Sequence, residues 1–467
     1  MSNVVSRSRG GIALALAGIS VLAGQLLLVA LAGTDIPFQD QWDAEGRSLY
    51  PGVIDGTLKF GDLFTPHNEH RIVWTHLLNW LLFDLNGQRW DPLLQQLVGA
   101  LLHGVVAMQV AGLLTRGQAG TRCGLIAGLV ALTCLPLTGW HNALWGFQSQ
   151  VYLVLIGSLA AMHLLTDADP GSKRWLAGVA AALAAQLAMG AGAFVPVALV
   201  GLCLLRIRAG RTLIGPAATA LGLFMVALLL RVDTGASDGL RPSNSFEFFR
   251  ALLRMLAWPH TDQPLAAIVL NLPLLWLGLR RGRAPWGSAP AIDGLLAMGL
   301  WAGAAAVAVA WTRGGSPELA VGAPSRYADF MLLLPLANLG SLWLLWRTAM
   351  EERRTMVRFV AIAWSLFLAI GWLGLSAQAV RGVVIPRIRD RDAPVRLARA
   401  FQQSGDDAVF VNQPRLLIPH PDLGVVRVVL ADPRLEGALP PSLQPREPQG
   451  VLSRAARWFL RRDDIFP

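Results

Sequence analysis

The chain has little charge for its length. Asp, Glu, Lys and Arg make up only 15% of its 467 residues, whereas soluble domains average about 25%. A surface built mainly for water is therefore excluded. The net charge of +10 does not indicate nucleic-acid binding, because the basic residues form short arginine clusters between apolar runs. Nucleic-acid sites instead favour a basic stripe with interleaved aromatic residues.

Cysteine is also scarce. The three cysteines fall in or beside apolar segments: Cys123, Cys134 and Cys203. Scattered cysteines of this kind act as small apolar side chains, so we expect neither a disulfide framework nor thiol chemistry. The sequence also lacks an evident internal repeat.

Long apolar runs take the place of charge. The chain is 54% hydrophobic, and runs of about twenty residues, each able to cross roughly 30 Å of hydrocarbon, recur between residues 11 and 380. The first run, 11–33, follows Arg7 and Arg9 and ends in Ala-Leu-Ala, like a secretory signal. Its length favours a retained membrane helix.

We predict eleven membrane spans with the N-terminus in the cytoplasm. The arginine clusters between them then fall on the cytoplasmic side, as the positive-inside bias requires. Residues 72–85 are too short to span and, like the amphipathic segment 245–258, are predicted to lie along the outer interface. Residues 175–207 are predicted to form a hairpin broken at 190–196. The spans are 11–33, 93–115, 123–140, 150–166, 175–189, 194–207, 212–231, 263–280, 291–312, 328–346 and 358–380.

The chain changes character after residue 380. Proline and arginine become frequent, and two short apolar runs, 408–411 and 424–430, are typical of strands. We therefore expect an all-α polytopic membrane domain at 1–380, with interfacial helices in a first outer loop at 34–92. A small C-terminal α/β soluble domain is expected at 381–467.

Reactive polar residues gather in the loops of one predicted face. The first outer loop contains Asp40, Asp43 and Glu45, and then Pro-His-Asn-Glu-His-Arg at 66–71. Later outer loops contain the runs Trp-His-Asn-Ala-Leu-Trp-Gly-Phe-Gln, 140–148, and Pro-Ser-Arg-Tyr, 324–327. A transported solute would instead favour polar groups near the middle of the membrane.

Each cluster also has a plainer interpretation. A carboxylate after a span is commonly a solvated loop residue, and Arg326 with Tyr327 is typical of a headgroup anchor. The 140–148 run fits an interfacial aromatic belt. At 67–71 the histidines lack the spacing of a helical zinc site, which favours helix capping or substrate contact. Three further histidines are predicted to be structural or surface residues: His103, His163 and His420.

The multiple spans, followed in the first outer loop by acidic residues such as Asp40 and Asp43, resemble the GT-C superfamily. Its members are multi-span glycosyltransferases that use polyprenyl-phosphate-linked sugars. The pattern is most similar to the bacterial branch akin to protein O-mannosyltransferases and the aminoarabinose transferases of lipid A. The chain is also similar to a group of bacterial membrane proteins that carry an Asp-x-Trp-Asp run, here 40–43, a His-Asn-Glu-His-Arg run, here 67–71, and a late Ser-Arg-Tyr, here 325–327. The resemblance to the GT-C superfamily covers the architecture of 1–380. It implies a bacterial inner membrane protein with a periplasmic site and C-terminal domain.

The resemblance also implies roles for residues. Asp40 matches the catalytic acid of the first loop, and Gln41 replaces the glutamate that often follows it, which makes Asp43 a second candidate. The implied reaction transfers a sugar, with inversion, from a polyprenyl-phosphate donor to an envelope glycan, lipid or protein, with Asp40 as general base. Arg71 and Arg326 are expected to bind the donor phosphate through guanidinium forks.

The remaining loop residues supply candidate sugar contacts, with Trp42 or Trp145 stacking on a sugar face. The predicted substrate-binding residues are Glu69, His70, Arg71, His141, Asn142, Trp145, Gln148, Arg326 and Tyr327. No cofactor is expected. The acidic cluster has the ligand chemistry for a divalent cation, but no further feature of the sequence supports one.

Two other functions compete with this one. A lipid-linked-sugar flippase or transporter would need charged residues along a path within the spans, and would move substrate without forming a glycosidic bond. A polysaccharide polymerase or ligase would elongate a chain rather than add one sugar. A purely structural role leaves the clustering of polar residues on one face unexplained.

Overall fold

The computed structural model describes residues 2–116, 118, 120–207, 213–235, 238–283, 289–444 and 450–460. These residues are mostly helical and contain no β-strand. The helices of the N-terminal part are α1 (Ser2–Ala32), α2 (Tyr50–Ile54), α3 (Val73–Leu85), α4 (Pro92–Leu114), α5 (Thr121–Thr133), α6 (Trp140–Leu144), α7 (Ser149–Leu165), α8 (Lys173–Ala188), α9 (Phe194–Leu205) and α10 (Ile214–Leu230). Those that follow are α11 (Ser245–Leu256), α12 (Ala266–Arg283), α13 (Pro290–Arg313), α14 (Pro317–Val321), α15 (Ala328–Met331), α16 (Leu333–Arg347), α17 (Glu351–Ala379), α18 (Ile385–Arg389), α19 (Ala393–Ser404), α20 (Leu423–Ala431) and α21 (Val451–Phe459).

The protein is membrane-embedded, as its composition predicts. Six segments of the described chain are long and apolar enough to cross a bilayer: Gly10–Ala32, Pro92–Leu114, Gly146–Leu165, Pro290–Arg313, Ser325–Arg347 and Glu351–Arg389. Three further apolar helices are shorter: Thr121–Thr133, Gly190–Leu205 and Ile214–Leu230. Each predicted span overlaps a helix, but α5 ends at Thr133, seven residues before the end of the predicted span 123–140, and the count of eleven crossings stays a prediction. The hairpin breaks where the sequence indicates, between α8 and α9.

The bundle is closely packed where α1 crosses α4. A Cβ atom on Gly18 would lie 2.9 Å from the carbonyl oxygen of Gly104, and one on Gly104 would lie equally close to the Gly18 oxygen. Small residues at such a crossing let two membrane helices approach to backbone contact. We call the end of the bundle where α1 ends and α4 begins the loop face.

The first loop is ordered and helical. After α1 it forms a π-helical stretch, Trp42–Leu49, then α2, a 3₁₀ turn at Phe60–Phe64, and α3. The predicted segment 72–85 is thus a helix. Its 13 residues span only about 20 Å at 1.5 Å per residue, less than the thickness of the hydrocarbon core.

The prediction of an α/β domain in the tail is wrong for the residues described. The run 408–411 forms a 3₁₀ turn, Asp407–Phe410, and 424–430 lies in α20. The carboxylate of Asp422 caps α20 by accepting from the Gly424 N–H at 2.8 Å, and its buried residues follow helical spacing: Val425, Val426 and Val429. A short valine-rich run fits either a strand or a helix, so a cap and tertiary burial decide between them. Residues 445–449 and 461–467 of the predicted domain lie outside the described residues.

The tail packs on the first loop. Trp42, Tyr50 and Trp90 share a hydrophobic core with side chains of the tail, among them Phe401 and Val429. The Trp90 N–H donates to the Ala438 carbonyl at 2.8 Å. Because the two segments share one core, we treat residues 34–91 and 390–460 together as the loop–tail unit.

Candidate active site

Asp40 and Asp43 lie directly after α1, each beside a histidine. Asp40 Oδ1 is 3.7 Å from Nε2 of His67. Asp43 Oδ2 is 2.9 Å from Nε2 of His420 in the tail. The Gln39 N–H also donates to the Pro419 carbonyl at 2.6 Å. The tail therefore lies directly over the two carboxylates.

The Asp43–His420 contact is a hydrogen bond that becomes an ion pair when His420 is protonated. The hydrogen bond from His420 lowers the pKa of Asp43, against the opposing effect of burial. Burial disfavours a charged His420, but its bonds to Asp43 and to the Asp422 carbonyl outweigh that effect and raise its pKa. Sequence analysis placed His420 at the surface and did not single out His67. No local signal connects either histidine to these two carboxylates, since both contacts depend on the tertiary fold.

Glu45, the third acid of the cluster, has a different environment. Its side chain is fully buried and accepts hydrogen bonds from Tyr50, Asn79, Trp90 and Gln95 at 2.8–3.1 Å. Burial raises its pKa to about 7 despite these bonds. Glu45 is therefore the polar centre of the loop–tail core and does not share the open environment of Asp40.

The 67–71 run forms a tight turn. His67 and His70 exchange two backbone hydrogen bonds of 2.9 and 3.0 Å, which points His67 at Asp40. Glu69 faces Arg313 at 3.6 Å. His70 is buried, and burial lowers its pKa. Nη1 of Arg71 donates to the Phe64 carbonyl at 2.6 Å, so part of this guanidinium stabilises the turn.

An aromatic stack lies next to the acids. The His141 ring is sandwiched between Trp140 and Trp145, with ring centroids 5.1 and 5.2 Å away. Phe38, two residues before Asp40, contacts Trp145 edge-on at 5.7 Å. Trp42 is absent from this stack because it is fully buried in the loop–tail core and donates to the Pro37 carbonyl. Trp145 is therefore the better placed of the two predicted stacking residues.

Three arginines surround His141. Burial, together with the positive charges of Arg326, Arg387 and Arg415, lowers the pKa of His141 to about 3. The imidazole is therefore neutral at physiological pH. Its Nε2 atom is buried without a hydrogen-bond partner among the described residues and can bind a ligand atom.

The arginines carry more positive charge than their surroundings neutralise. Glu318 pairs with both Arg326, at 2.7 Å, and Arg415, at 3.0 Å. Arg387 donates to the Leu416 carbonyl at 3.3 Å and has no carboxylate partner in the described part of the chain. The three guanidinium groups near the neutral His141 are thus balanced by one carboxylate, Glu318, which pairs with two of them. Such an arrangement favours an anionic ligand.

A chain of polar side chains leads from this site into the bundle. Nδ2 of Asn142 donates to the Arg326 carbonyl at 3.1 Å and to Asp329 Oδ2 at 2.7 Å. Oδ1 of Asp329 lies 3.7 Å from Nε2 of His103 in the middle of α4. His103 Nδ1 contacts Gln25 of α1 at 2.7 Å. Sequence analysis missed Asp329 as a site residue and took His103 as structural.

The other predicted sugar contacts are close by. Gln148 is buried at the start of α7, and the ring of Tyr327 lies against the Arg326 guanidinium at 5.1 Å. A small cavity of about 20 Å³ is lined by Phe38, Arg387 and Pro419 among others. Ligand pockets usually measure about 300–1,000 Å³, so this cavity is far too small for a sugar.

The described residues contain no group of three or more His, Cys, Asp or Glu side chains placed to hold a metal ion. No known family model matches the chain, and no curated protein matches it significantly.

Proposed function

We propose that this chain is a membrane glycosyltransferase that moves a sugar from a polyprenyl-phosphate donor to a cell-envelope acceptor. The observation that carries the proposal is the convergence of a carboxylate, an aromatic stack and an excess of arginine charge at the loop face of a membrane-embedded bundle. A lipid-linked donor presents its phosphate and sugar at this level. The proposed location is a bacterial inner membrane, with the loop face toward the periplasm.

The arginine cluster is the proposed phosphate site. Arg326 and Arg387 can each offer a guanidinium fork to phosphate oxygens, and Arg415 adds charge from the tail. Arg71, the other phosphate ligand expected from sequence, donates to the Phe64 carbonyl in the 67–71 turn and is not among the arginines whose charge lowers the pKa of His141. We therefore assign the phosphate to the arginines around His141. Their fixed positive charge stabilises the phosphate as it leaves.

Asp40 is the proposed general base. Asp43 already accepts a hydrogen bond from His420 at 2.9 Å, whereas the contact of Asp40 with His67, at 3.7 Å, is longer than a hydrogen bond. Asp40 is also about one-third exposed. Its carboxylate takes the proton of the acceptor hydroxyl as that oxygen attacks the anomeric carbon. The bond from this carbon to the phosphate oxygen breaks, and polyprenyl phosphate leaves with inversion.

Sugar recognition is assigned to the residues beside the phosphate site. Nε2 of His141 and Oδ1 of Asn142 are buried polar atoms without hydrogen-bond partners in the described chain. The ring of Trp145 lies beside them but is itself buried and stacked on His141 and Phe147, so a sugar can contact its face only after this stack opens. Because the tail covers the carboxylates and leaves a cavity of only about 20 Å³, the proposal requires the segment around Pro419 and His420 to move when a sugar enters.

A transporter of lipid-linked sugars is the second candidate, and one observation favours it. Asp329 and His103 are ionisable, buried and 3.7 Å apart within helices long enough to span. Ionisable residues at such depth often mark transport or proton paths. Movement of labelled lipid-linked sugar across vesicles that stops in Asp329→Asn but continues in Asp40→Asn would support this function over transfer.

The experiment that tests the proposal is mass spectrometry of envelope glycans, lipids and proteins from cells with and without the gene. The proposed function requires one sugar to disappear from its acceptor when the gene is deleted and to return with a plasmid copy. An unchanged envelope with accumulating donor on one membrane face would favour the transporter.

A further inference from the structure

In the last described helix, α21, polar side chains face the protein and apolar side chains face outward. Its polar residues Ser453 and Arg457 are buried against the protein. Its outward face is apolar: Val451, Trp458 and Phe459 are 67%, 72% and 59% exposed. A helix on a water-soluble surface shows the reverse pattern. This face therefore needs an apolar partner.

Strong polar contacts hold the helix in this orientation. Arg457 donates to Asp91 at 2.6 Å and to Asp35 at 2.8 Å, and all three side chains are almost fully buried. Ser453 exchanges hydrogen bonds with Asn86 at 2.7 and 2.9 Å. Rolling the helix to bury its apolar face would break these bonds and leave buried charges unpaired, which is strongly unfavourable.

The position of α21 identifies the partner. Asp35 follows the end of α1 by three residues, and Asp91 directly precedes α4, so Arg457 ties the helix to the two points where these spans leave the bundle. Leu460 packs with Leu28 and Ala32 of α1. It therefore lies within about one helical turn, roughly 6 Å, of the end of that span. This is the depth of the headgroup region of a bilayer.

We propose that α21 is an interfacial helix that anchors the tail to the lipid bilayer. Trp458, Phe459 and Val451 enter the boundary between headgroups and acyl chains, where tryptophan is particularly favoured. Arg454, at the edge of the exposed face, binds headgroup phosphates. The tail is then not a freely soluble domain. It is attached to the bundle at α18 and to the membrane at α21, and the segment over the carboxylates lies between these two points.

Spin labelling in vesicles tests this placement independently of any activity. The full chain, with its three cysteines replaced by alanine, carries either Trp458→Cys or, as a matched control, Val428→Cys. The introduced cysteine is labelled with a nitroxide. Val428 is 60% exposed on α20 of the same tail. The protein is reconstituted in phosphatidylethanolamine–phosphatidylglycerol vesicles. The ratio of collisions with oxygen to collisions with a water-soluble nickel complex is then measured.

The ratio at 458 should exceed that at 428 by about threefold or more, because oxygen concentrates in lipid and nickel in water. Equal ratios at the two positions would overturn the proposal. A label at 458 that neither reagent reaches would also overturn it, because a second copy or another protein would then cover the helix.

A second measurement uses the natural cysteines, in case the substituted chain does not fold. Trp458→Asp combined with Phe459→Asp should increase tryptic cleavage of α21 in vesicles about tenfold, because two charges oppose insertion into the interface. Val428→Asp is the control and should leave the cleavage rate unchanged. Equal cleavage rates in the two variants would contradict the anchor.

Discussion

The carboxylate of Asp43, at the start of the chain, accepts a hydrogen bond from the imidazole of His420, near its end, at 2.9 Å. One residue from His420, the Pro419 carbonyl accepts from the Gln39 N–H. These contacts place a tail segment directly over the proposed general base, Asp40. Substrate entry and tail position are therefore expected to be linked.

The pH dependence of this contact follows from its two pKa shifts. Because the pKa of His420 is raised, the stability that its charged form gives to the contact is complete below the ordinary pKa of 6.5. This stability is lost as pH rises through the raised pKa. Because the pKa of Asp43 is lowered, its contribution is complete above 3.8 and is lost as pH falls through the lowered value. The protection of the His420 and Asp422 amides from exchange, measured relative to their intrinsic rate at each pH, should thus be greatest near pH 5–6 and smaller above neutrality.

Two substitutions separate this pH effect from general loosening of the tail. His420→Gln should remove the dependence on pH near neutrality. Arg434→Gln breaks another ion pair between tail and loop, that of Arg434 with Asp55 at 2.9 Å, but it changes no group that titrates near neutrality. Arg434→Gln should therefore leave the pH dependence of amide protection unchanged. A pH profile that survives in His420→Gln would show that another group is responsible.

The buried Glu45 carboxyl should make the stability of the loop–tail unit depend on pH. Its folded pKa of about 7 lies above the ordinary value of 4.5. The stability that the protonated carboxyl gives to the folded state is therefore complete below pH 4.5. It is lost as pH rises to about 7, by an amount on the order of 3 kcal/mol. Glu45→Gln should abolish this trend in thermal unfolding. This substitution should also lower the free energy of unfolding by about 1–3 kcal/mol, because the amide NH₂ group would face hydrogen-bond donors. Asp55→Asn, on the exposed side of the same loop, should keep the trend.

Arg387 should determine affinity for the lipid-phosphate donor. Its charge has no carboxylate partner in the described chain, and a charge-assisted phosphate contact is worth about 1.5–3 kcal/mol. Arg387→Gln should therefore raise the KM for the donor about 10- to 100-fold. Arg396→Gln is the matched control, because Arg396 is an exposed arginine of the same tail paired with Asp390. An unchanged KM for the donor in Arg387→Gln would show that Arg387 does not bind the donor phosphate.

The sequence predicted those features that local chemistry determines. The apolar runs predicted segments that each overlap a helix, and the loop motifs indicated Asp40, His141 and Arg326, which lie at one end of the bundle. The motifs also indicated Arg71, but its guanidinium bonds the Phe64 carbonyl in the 67–71 turn, and Arg71 is not among the arginines whose charge lowers the pKa of His141.

Features that depend on the tertiary fold were not predictable in the same way. The run 424–430 has a composition typical of a strand. It is a helix in the structure because Asp422 caps it and its valines are buried against the first loop. His420 and Arg387 gained importance only because the tail folds back over the loop. Trp42 and Glu45 looked like members of an open acidic site, but burial in the loop–tail core gives both a structural role.

The role of Asp40 can be tested directly through sugar transfer. In cells lacking the gene, plasmids encoding the wild type, Asp40→Asn and Asp55→Asn are compared for restoration of the lost envelope sugar, at matched membrane levels of the protein. Asp55 is also a partly exposed carboxylate of the first loop. Loss of a general base lowers rates by about 10²–10⁴-fold, so Asp40→Asn should fail to restore the sugar while Asp55→Asn succeeds. Full restoration by Asp40→Asn would contradict the assignment of the base and, with it, the proposed mechanism.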